Sequence, residues 1–480
     1  MSPYFTICLI AIYFIVLIGI SKLTAKKEDN QAFFKANKDA PWYLVAFGMV
    51  GVSLSGLTFI SVPGAVEDKG FSYLQMVMGN VVGYWLIMWV LLPLYYKMNL
   101  TSIYSYLGSR YGKKSQKTGS FFFLMSRIIG ASLRLYLVAL VLQPLVFTPL
   151  GIPFAVTAAI TILLVWLYTK KGGIKTVIWT DTLQTFFLLA GMLVFLFWLS
   201  SQLHGFGNAF SKLSEQNLSQ VFFWEANDGR QFFRSFLTGM FITLVMNGLD
   251  QDMMQKNLTC RSLKDANKNM FSLSIIFFVV NFLFLILGGF LTVYARQNGI
   301  DASGEELFGA VAQQAPAFFY VMFLLGVIAA AYSSADSALT SLTTSFCVDF
   351  LNIEKRPLDQ QIALRKKTHI AFSVILFFVI LIFGIMNNRG LIFVLFTAAG
   401  FTYGPLLGMY AFGLFTKKKV SDFFVPIIAI LSPIIAYILQ QNSETIFGTK
   451  LTFEILLING AMTFIALFLM SKGDVDKDII

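Results

Sequence analysis

Residues 48–64 read GMVGVSLSGLTFISVPG, an apolar segment punctuated by glycine and serine and closed by a Pro63-Gly64 pair. It lies within the apolar stretch 42–66, and about 20 apolar residues are enough for one helix to cross a lipid bilayer. Glycine and proline both weaken the interior of a helix. We therefore expect this span to be interrupted near its middle, where it would free backbone carbonyl groups inside the membrane.

A second apolar span carries a similar interruption. Span 230–256 contains the polar run NGLDQD at 247–252. The two interrupted spans begin two five-helix blocks, 42–202 and 230–415. The second block starts an odd number of spans after the first, so corresponding helices would run in opposite directions. Paired broken helices in inverted repeats are typical of secondary transporters, whose binding sites lie near the bilayer midplane.

The composition is that of a polytopic membrane protein. Of 480 residues, 57% are hydrophobic and only 13% are charged, and the mean hydropathy is +0.72. Soluble domains have about 25% charged residues. We expect an all-α fold, because backbone groups in lipid must be satisfied within each segment, and one integral unit over 1–480. The predicted spans are 3–22, 42–66, 70–96, 119–147, 151–169, 175–202, 230–256, 269–295, 317–347, 365–386, 389–415, 420–440 and 451–471, so that one extra helix precedes the repeats at 3–22 and two follow at 420–471.

Positive residues are concentrated in alternate connections. With the N-terminus outside, the inside connections, which include 256–268, hold 27 Lys and Arg and the outside ones hold 7, while Arg127 and Arg134 lie inside a span. The positive-inside rule then predicts a cell-membrane protein with its N-terminus outside and its C-terminus in the cytoplasm. The net charge of +11 is spread between hydrophobic spans, and this pattern excludes a nucleic-acid-binding protein.

Residues 329–346 read AAAYSSADSALTSLTTSF and place Asp336 deep within an apolar helix. A lipid-facing carboxylate there would cost about 2.5–3.5 kcal/mol, so Asp336 should face protein, water or a cation. Ser333 and Thr340 lie three and four residues away on the same helix face, and oxygen ligands suit a hard cation. The alternative is that these small, hydroxylated residues only allow two helices to pack closely.

A second carboxylate, Asp181, lies six residues beyond Lys175, at a depth compatible with that of Asp336. Two carboxylates sharing a site favour a cation or a proton between them, because like charges otherwise push one group into its neutral form. Taken alone, Asp181 could be a satisfied residue near the start of a helix. The residues leave the choice between a cation and a proton open.

Together these motifs resemble the sodium:solute symporter family, the group that includes proline, sugar and sialic acid transporters. The resemblance extends over about 35–415 and is carried by FISVPG at 59–64, GGIKTVIWTDTLQ at 172–184, NGLDQDMMQ at 247–255 and GVIAAAYSSADSALTS at 326–341. It implies about 13 transmembrane helices in a LeuT-like fold, a five-plus-five inverted repeat with extra helices at both ends. It also implies Na⁺ as the coupling ion, a small-molecule substrate and a lipid bilayer as the partners.

The resemblance implies a sodium site between the first and eighth core helices. Matched position by position, its ligands are the backbone carbonyls of Gly51, Leu54 and Ala330 and the hydroxyls of Ser333 and Ser334. Some members, the sialic acid transporters among them, have a second cation site, whose matching positions are Asp181, Ser333, Asp336 and Ser337. Asp336 stands where that pattern has a serine, so this group would hold either a second sodium ion or a proton.

Arg134, near the centre of the third core helix, points to an anionic substrate. A buried guanidinium binds a carboxylate through two hydrogen bonds, although Arg134 could instead pair with Asp250 or Asp252. Sugar-transporting members have acidic and amide residues after the first-helix break, where this sequence has Leu57-Thr58, so a sugar substrate is in doubt. The candidates for substrate contact are Ser53, Thr58, Gln75, Arg134 and Asp250.

The sequence thus predicts sodium-coupled import of a small polar or anionic organic solute by alternating access. The closest alternative is a proton-coupled symporter of the same fold. An intramembrane enzyme is not expected, because His204 and His369 lie at the ends of spans and the sequence has no membrane-embedded metal motif or Ser-Lys dyad. A channel is not expected either, since the sequence has no filter motif.

Overall fold

The computed structural model describes residues 3–24, 30–225, 228–386, 391–447, 451 and 453–474. The first part of the chain forms α1 Pro3–Thr24, α2 Asn30–Lys35, α3 Trp42–Gly64, α4 Val66–Lys69, α5 Tyr73–Leu86, α6 Leu92–Lys97, α7 Ser105–Arg110, α8 Lys113–Leu142, α9 Phe154–Thr169, α10 Ile174–Gln202 and α11 Phe206–Glu215. The second part forms α12 Phe232–Thr243, α13 Gln251–Asn257, α14 Leu263–Gln297, α15 Glu306–Gln314, α16 Ala317–Ser345, α17 Leu358–Met386, α18 Leu391–Phe415, α19 Phe424–Gln441, α20 Ser443–Phe447 and α21 Glu454–Leu469. Short π-helical turns lie at Ile87–Leu91, Gln143–Phe147, Leu244–Gly248 and Phe346–Phe350, and 3-10 turns lie at Ala36–Lys38, Thr148–Leu150 and Ile353–Lys355.

Within the described residues, each predicted apolar segment overlaps a helix or consecutive helices. Residues 389–390 and 452 of two predicted spans lie outside the described residues. Within the described ranges, eight helices are long and apolar enough to cross a membrane, and the number is ten if each of two bent helix pairs is one span. The apolar helices α9 and α21 are shorter, and α18 is apolar over 25 residues. The all-α polytopic fold is therefore confirmed. The count of thirteen spans and the division at 42–202 and 230–415 stay predictions.

Both predicted interruptions are present as bends. The direction changes by 59° between Trp42–Leu54 and Thr58–Gly64, and by 72° between Phe232–Gly248 and Gln251–Asn257. At the second bend the side chain of Asp250 accepts hydrogen bonds from the backbone N–H groups of Asp252 and Met253, in the first turn of α13. Such a cap satisfies donors that a helix start otherwise leaves unpaired, so the chain can turn inside the apolar layer.

Glycines let α3 pack closely between α10 and α16. A Cβ atom on Gly51 would lie 2.3 Å from Thr185 Oγ1 of α10, and one on Gly56 would lie 3.1 Å from the Cβ atom of Ala331 in α16. A side chain at either glycine would push these helices apart. The bent part of α3 therefore lies against the hydroxyl-bearing helix α16.

A second close contact joins α5 to α12. A Cβ atom on Gly79 would lie 1.9 Å from the carbonyl oxygen of Phe236, and one on Gly239 would lie 2.0 Å from the carbonyl oxygen of Met76. Small residues allow membrane helices to approach at backbone distance. This helix pair forms one wall of the cavity that contains the candidate substrate site.

Candidate functional site

A cavity of about 140 Å³ lies where the two bent segments face α5, α8 and α14. Met76, Met246 and Phe277 contribute apolar surface to it. Its polar lining consists of Ser53, Thr58, Tyr73, Asn80, Tyr84, Arg127, Arg134, Thr243 and Asn247. The cavity thus combines apolar walls, neutral hydrogen-bonding groups and two arginines, which is the composition of a site for a small charged organic molecule.

Of the two arginines, Arg127 is already paired. Its Nη2 lies 2.5 Å from Asp250 Oδ1 and 3.0 Å from Asp252 Oδ2, and both aspartates are buried. The hydroxyl of Tyr403 in α18 also donates a hydrogen bond to Asp250. The two aspartates considered as partners for Arg134 are therefore held by Arg127.

Arg134 borders the same cavity and forms no ion pair within the part of the chain that the structure describes. Its Nε and Nη1 atoms are buried, and neither has a hydrogen-bond partner among the residues that the structure describes. A buried donor left unpaired costs about 1–3 kcal/mol. A ligand that supplies acceptor atoms would remove this cost, and Arg134 therefore stays a predicted contact for an anionic group.

Two predicted substrate contacts lie outside the cavity lining. Gln75 is fully buried and donates hydrogen bonds to the carbonyl oxygens of Ser72, at 3.2 Å, and Arg230, at 2.8 Å, so its amide fastens α5 to the connection before α12. Asp250 is occupied by Arg127, by Tyr403 and by the N-terminus of α13. These two residues hold the walls in place, whereas Ser53, Thr58 and Arg134 line the cavity itself.

Sequence reasoning missed most of the other polar lining residues, among them Asn80, Asn247 and Tyr84. Asn80 is a lone amide within the apolar run MGNVVG, and Asn247 stands directly before the second bend. An isolated amide within a membrane span is a signal that could have found both. Tyr84 donates a hydrogen bond to Ser53 Oγ at 3.4 Å, and only the packing of α5 against α3 reveals that contact.

The residues matched to the sodium site are buried in α3 and α16, two helices that pack against each other. Leu54, Ala330, Ser333 and Ser334 have no exposed surface. The hydroxyl of Ser334 donates to the carbonyl oxygen of Ala330 over 3.4 Å, and a hydroxyl oxygen that donates keeps its lone pairs for a cation. These groups provide the oxygen donors that an alkali ion prefers.

Asp181 of α10 is paired with a lysine that the sequence pattern places in a connection. The Nζ of Lys256 lies 2.7 Å from Asp181 Oδ2, and both side chains are 1% exposed. The hydroxyl of Ser333 donates to the other oxygen of Asp181, also at 2.7 Å. Counting Lys256 in the connection 256–268 was wrong, because every residue of α13 is buried.

Asp336 accepts hydrogen bonds from neutral groups. Its donors are the hydroxyls of Tyr168, at 3.0 Å, and Thr180, at 3.2 Å, and the backbone N–H of Ser337, at 2.6 Å. The hydroxyl of Ser337 donates to Asp252 instead. Of the positions matched to a second cation site, one therefore already holds an ammonium group and another is turned to a different carboxylate. The second cation site stays a prediction.

The chain is similar to known transporters over most of its length. The model of the sodium:solute symporter family matches residues 33–422. The sodium/sialic acid symporter NanT of Aliivibrio fischeri is 25% identical over 84% of this chain and 81% of its own length. Sodium-coupled monocarboxylate transporter 2 of Danio rerio is 25% identical over 85% of this chain and 68% of its own. A solved structure of a Na⁺-coupled sialic acid symporter in a substrate-bound outward-open state has the same fold, with a TM-score of 0.82, 19% identity and coverage of 97% and 98%.

Proposed function

Because this chain belongs to the sodium:solute symporter family, it is a sodium-coupled membrane transporter and not an enzyme, and we propose that its solute is a small organic carboxylate. The observation that carries the proposal is the guanidinium group of Arg134, which borders the cavity with two buried nitrogens that lack a partner among the described residues. The relatives named above transport sialic acid and monocarboxylates, and all of these molecules carry a carboxylate.

The chemistry of the two arginines supports an anionic solute. A carboxylate can accept two parallel hydrogen bonds from one guanidinium group, and hydrogen bonds to charged groups contribute about 1.5–3 kcal/mol each. Arg127 does not compete for the solute, because it is already paired with Asp250 and Asp252. The hydroxyls of Ser53 and Thr58 lie in the same lining and would orient the rest of the molecule.

The volume of the cavity favours a short molecule. An engineered protein cavity of about 150 Å³ holds one benzene molecule, and the cavity here is about 140 Å³. A carboxylate of about six non-hydrogen atoms, such as lactate or butyrate, is of that size. Sialic acid is several times larger. The apolar side chains of Met76, Met246 and Phe277 suit a short alkyl chain.

The sodium ion belongs, in this proposal, at the carbonyls and hydroxyls matched to the family site. These are the carbonyls of Gly51, Leu54 and Ala330 and the hydroxyls of Ser333 and Ser334. The same helix α3 lines the cavity through Ser53 and Thr58, so an ion that holds α3 against α16 also positions the cavity wall. Sodium and solute then raise each other's affinity by one common factor, and the sodium gradient drives uptake.

The protein is a multi-pass membrane protein, and we propose that its N-terminus is outside the cell and its C-terminus in the cytoplasm. The excess of Lys and Arg in alternate connections supports this orientation. The proposed blocks 42–202 and 230–415 would move relative to each other, so that the cavity opens to one side at a time.

Uptake into proteoliposomes tests the function. Purified protein would be reconstituted and offered radiolabelled lactate, butyrate or sialic acid, either with an inward sodium gradient at clamped pH or with a proton gradient and no sodium. We expect uptake of a short carboxylate under the sodium gradient alone. Arg134→Lys keeps the charge but not the planar pair of donors, so it should raise the half-saturating solute concentration by about tenfold or more.

Three results would contradict the proposal. Uptake driven by the proton gradient without sodium would show that sodium is not the coupling ion. Uptake of sialic acid, without uptake of lactate or butyrate, would contradict the inference that the cavity binds a short carboxylate. Equal solute affinity in the wild type and in Arg134→Gln would remove Arg134 as the anchor.

A further inference from the structure

A lysine ammonium group lies among the residues matched to the second cation site. Lys256 belongs to α13, a helix of seven residues that are all buried. Its Nζ lies 2.7 Å from Asp181 Oδ2. An ammonium group is rarely buried unless a carboxylate balances it. Lys256 and Asp181 therefore form an ion pair of the protein interior.

The carboxylate that this ammonium contacts, Asp181, is one of the positions matched to a second cation site. Ser333 donates to the remaining oxygen of Asp181 at 2.7 Å, and Ser337 donates to Asp252. Asp181 and Lys256 are both close enough to Asp336 to interact with it electrostatically. The site therefore already contains one positive charge among its carboxylates.

We propose that the ammonium group of Lys256 takes the place of a second sodium ion, so that the protein binds a single sodium ion in each transport cycle. This inference rests on the sodium coupling of the proposed function. An ammonium group is a compact unit charge with three donors, and it satisfies the same carboxylate that a metal ion would. In a protein interior of moderate polarity, two unit charges about 4 Å apart weaken each other's binding about a thousandfold. A sodium ion at Asp181 is thus excluded while Lys256 carries its charge.

The tethered charge has a consequence for coupling. A sodium ion bound at Asp181 would enter on one side of the membrane and leave on the other, and it would add its own electrochemical gradient to the driving force. Lys256 is covalently part of α13 and returns with the protein. The charge of Lys256 then stabilises the contact between α13 and α10, but no additional ion crosses the membrane.

Counting bound sodium ions tests the inference without any organic solute. Equilibrium binding of ²²Na⁺ would be measured on the purified full-length protein in detergent. We expect one ion on the wild type and one on Lys256→Arg, which keeps the charge. Lys256→Met removes the charge with little change in side-chain length, so it should bind two ions, the second about 100-fold or more tighter than any second ion on the wild type. Adding Asp181→Asn to Lys256→Met should return the count to one.

Thermal unfolding provides an independent measurement. Lys256→Met leaves Asp181 buried without its cation, so its unfolding temperature without sodium should be lower than that of the wild type. Sodium should raise that temperature more for Lys256→Met than for the wild type, because two ions instead of one bind the folded state.

The outcomes separate this inference from the proposed function. Two sodium ions on the wild type, or one on a well-folded Lys256→Met, would overturn the role of Lys256 and leave sodium symport intact. If Lys256→Met does not fold, the wild-type count decides alone: one ion supports the inference and two overturn it. No sodium on the wild type would instead overturn the sodium-coupled function itself.

Discussion

Replacing Arg127 with methionine should lower the free energy of unfolding by about 3–5 kcal/mol, which is the usual cost of removing one partner from a buried ion pair. Within the described ranges, Arg127 is the cation in contact with Asp250 and Asp252, at 2.5 and 3.0 Å. At an effective dielectric constant of about 20, opposite unit charges 4 Å apart attract by about 4 kcal/mol, and these contacts are shorter. Without Arg127, two buried carboxylates near the start of α13 would repel each other.

The same helix offers a matched control. Arg134 lies seven residues further along α8, and the described residues provide no hydrogen-bond partner for its Nε and Nη1. Arg134→Met therefore removes a buried guanidinium that no carboxylate contacts within the described residues. We expect a change in unfolding free energy within about 1 kcal/mol, since replacing a buried charge by an apolar side chain of similar volume is often neutral.

Equilibrium unfolding in mixed detergent and SDS micelles, followed by circular dichroism, would measure both variants. Adding Asp250→Asn and Asp252→Asn to Arg127→Met removes the stranded charges and should recover about half of the loss. Equal destabilisation by Arg127→Met and Arg134→Met would refute the reasoning. It would show that the ion pair with the aspartates adds nothing to the free energy of unfolding beyond the contribution of an unpaired guanidinium group. A cost below about 1 kcal/mol for Arg127→Met would do the same.

Other consequences can be measured in the same preparations. Ser334→Ala should weaken ²²Na⁺ binding by about 5- to 150-fold. The control is Ser341→Ala, which removes a buried hydroxyl bonded to Ala338 on the same helix and should leave ²²Na⁺ binding unchanged. Equal effects of the two substitutions would argue against the sodium site. Gly79→Ala should destabilise the protein by about 1–3 kcal/mol in the SDS titration, because its Cβ would meet the carbonyl of Phe236 at 1.9 Å. Gly309→Ala in α15, where an added Cβ would have no atom within 4 Å, should leave stability unchanged or raise it slightly. A larger loss of stability for Gly309→Ala than for Gly79→Ala would contradict the close packing at Gly79. Burial raises the pKa of the Cys260 thiol, in the connection after α13, to about 12. With Cys260 as the only cysteine, maleimide labelling at pH 8 should therefore be about a thousandfold slower in folded than in SDS-unfolded protein, and should accelerate as the pH rises; rapid labelling of the folded form would refute this.

The parts of the fold that could be predicted depend on local properties of the chain. A run of about 20 apolar residues forms a membrane helix wherever it lies in the sequence. Glycine, proline and polar residues likewise weaken a helix at their own positions, and both bends occur where the patterns at 48–64 and 247–252 predict them. Asp181 and Asp336 were identified for the same reason, because a carboxylate in an apolar helix is costly in any arrangement.

The partners of the buried charges could not be predicted, because they depend on how helices distant in sequence pack. Lys256 is followed by a basic connection, and the positive-inside rule counts it there. Only the path of α13 back into the interior brings it to Asp181, 75 positions earlier. The choice between Arg127 and Arg134 as partner of the aspartates likewise depends on how α8 is rotated against α13, and the heptad spacing of the two arginines leaves that rotation undetermined.

The short helix α13 is fixed on one face by two ionic groups. Asp252 and Lys256 are four residues apart, so their side chains project in nearly the same direction, and they reach Ser337 of α16 and Asp181 of α10. Turning α13 about its axis by one residue step, about 100°, would carry both groups out of reach together. The helix can therefore tilt together with its neighbours but cannot rotate about its own axis. Met253, which lines the cavity, follows that tilt.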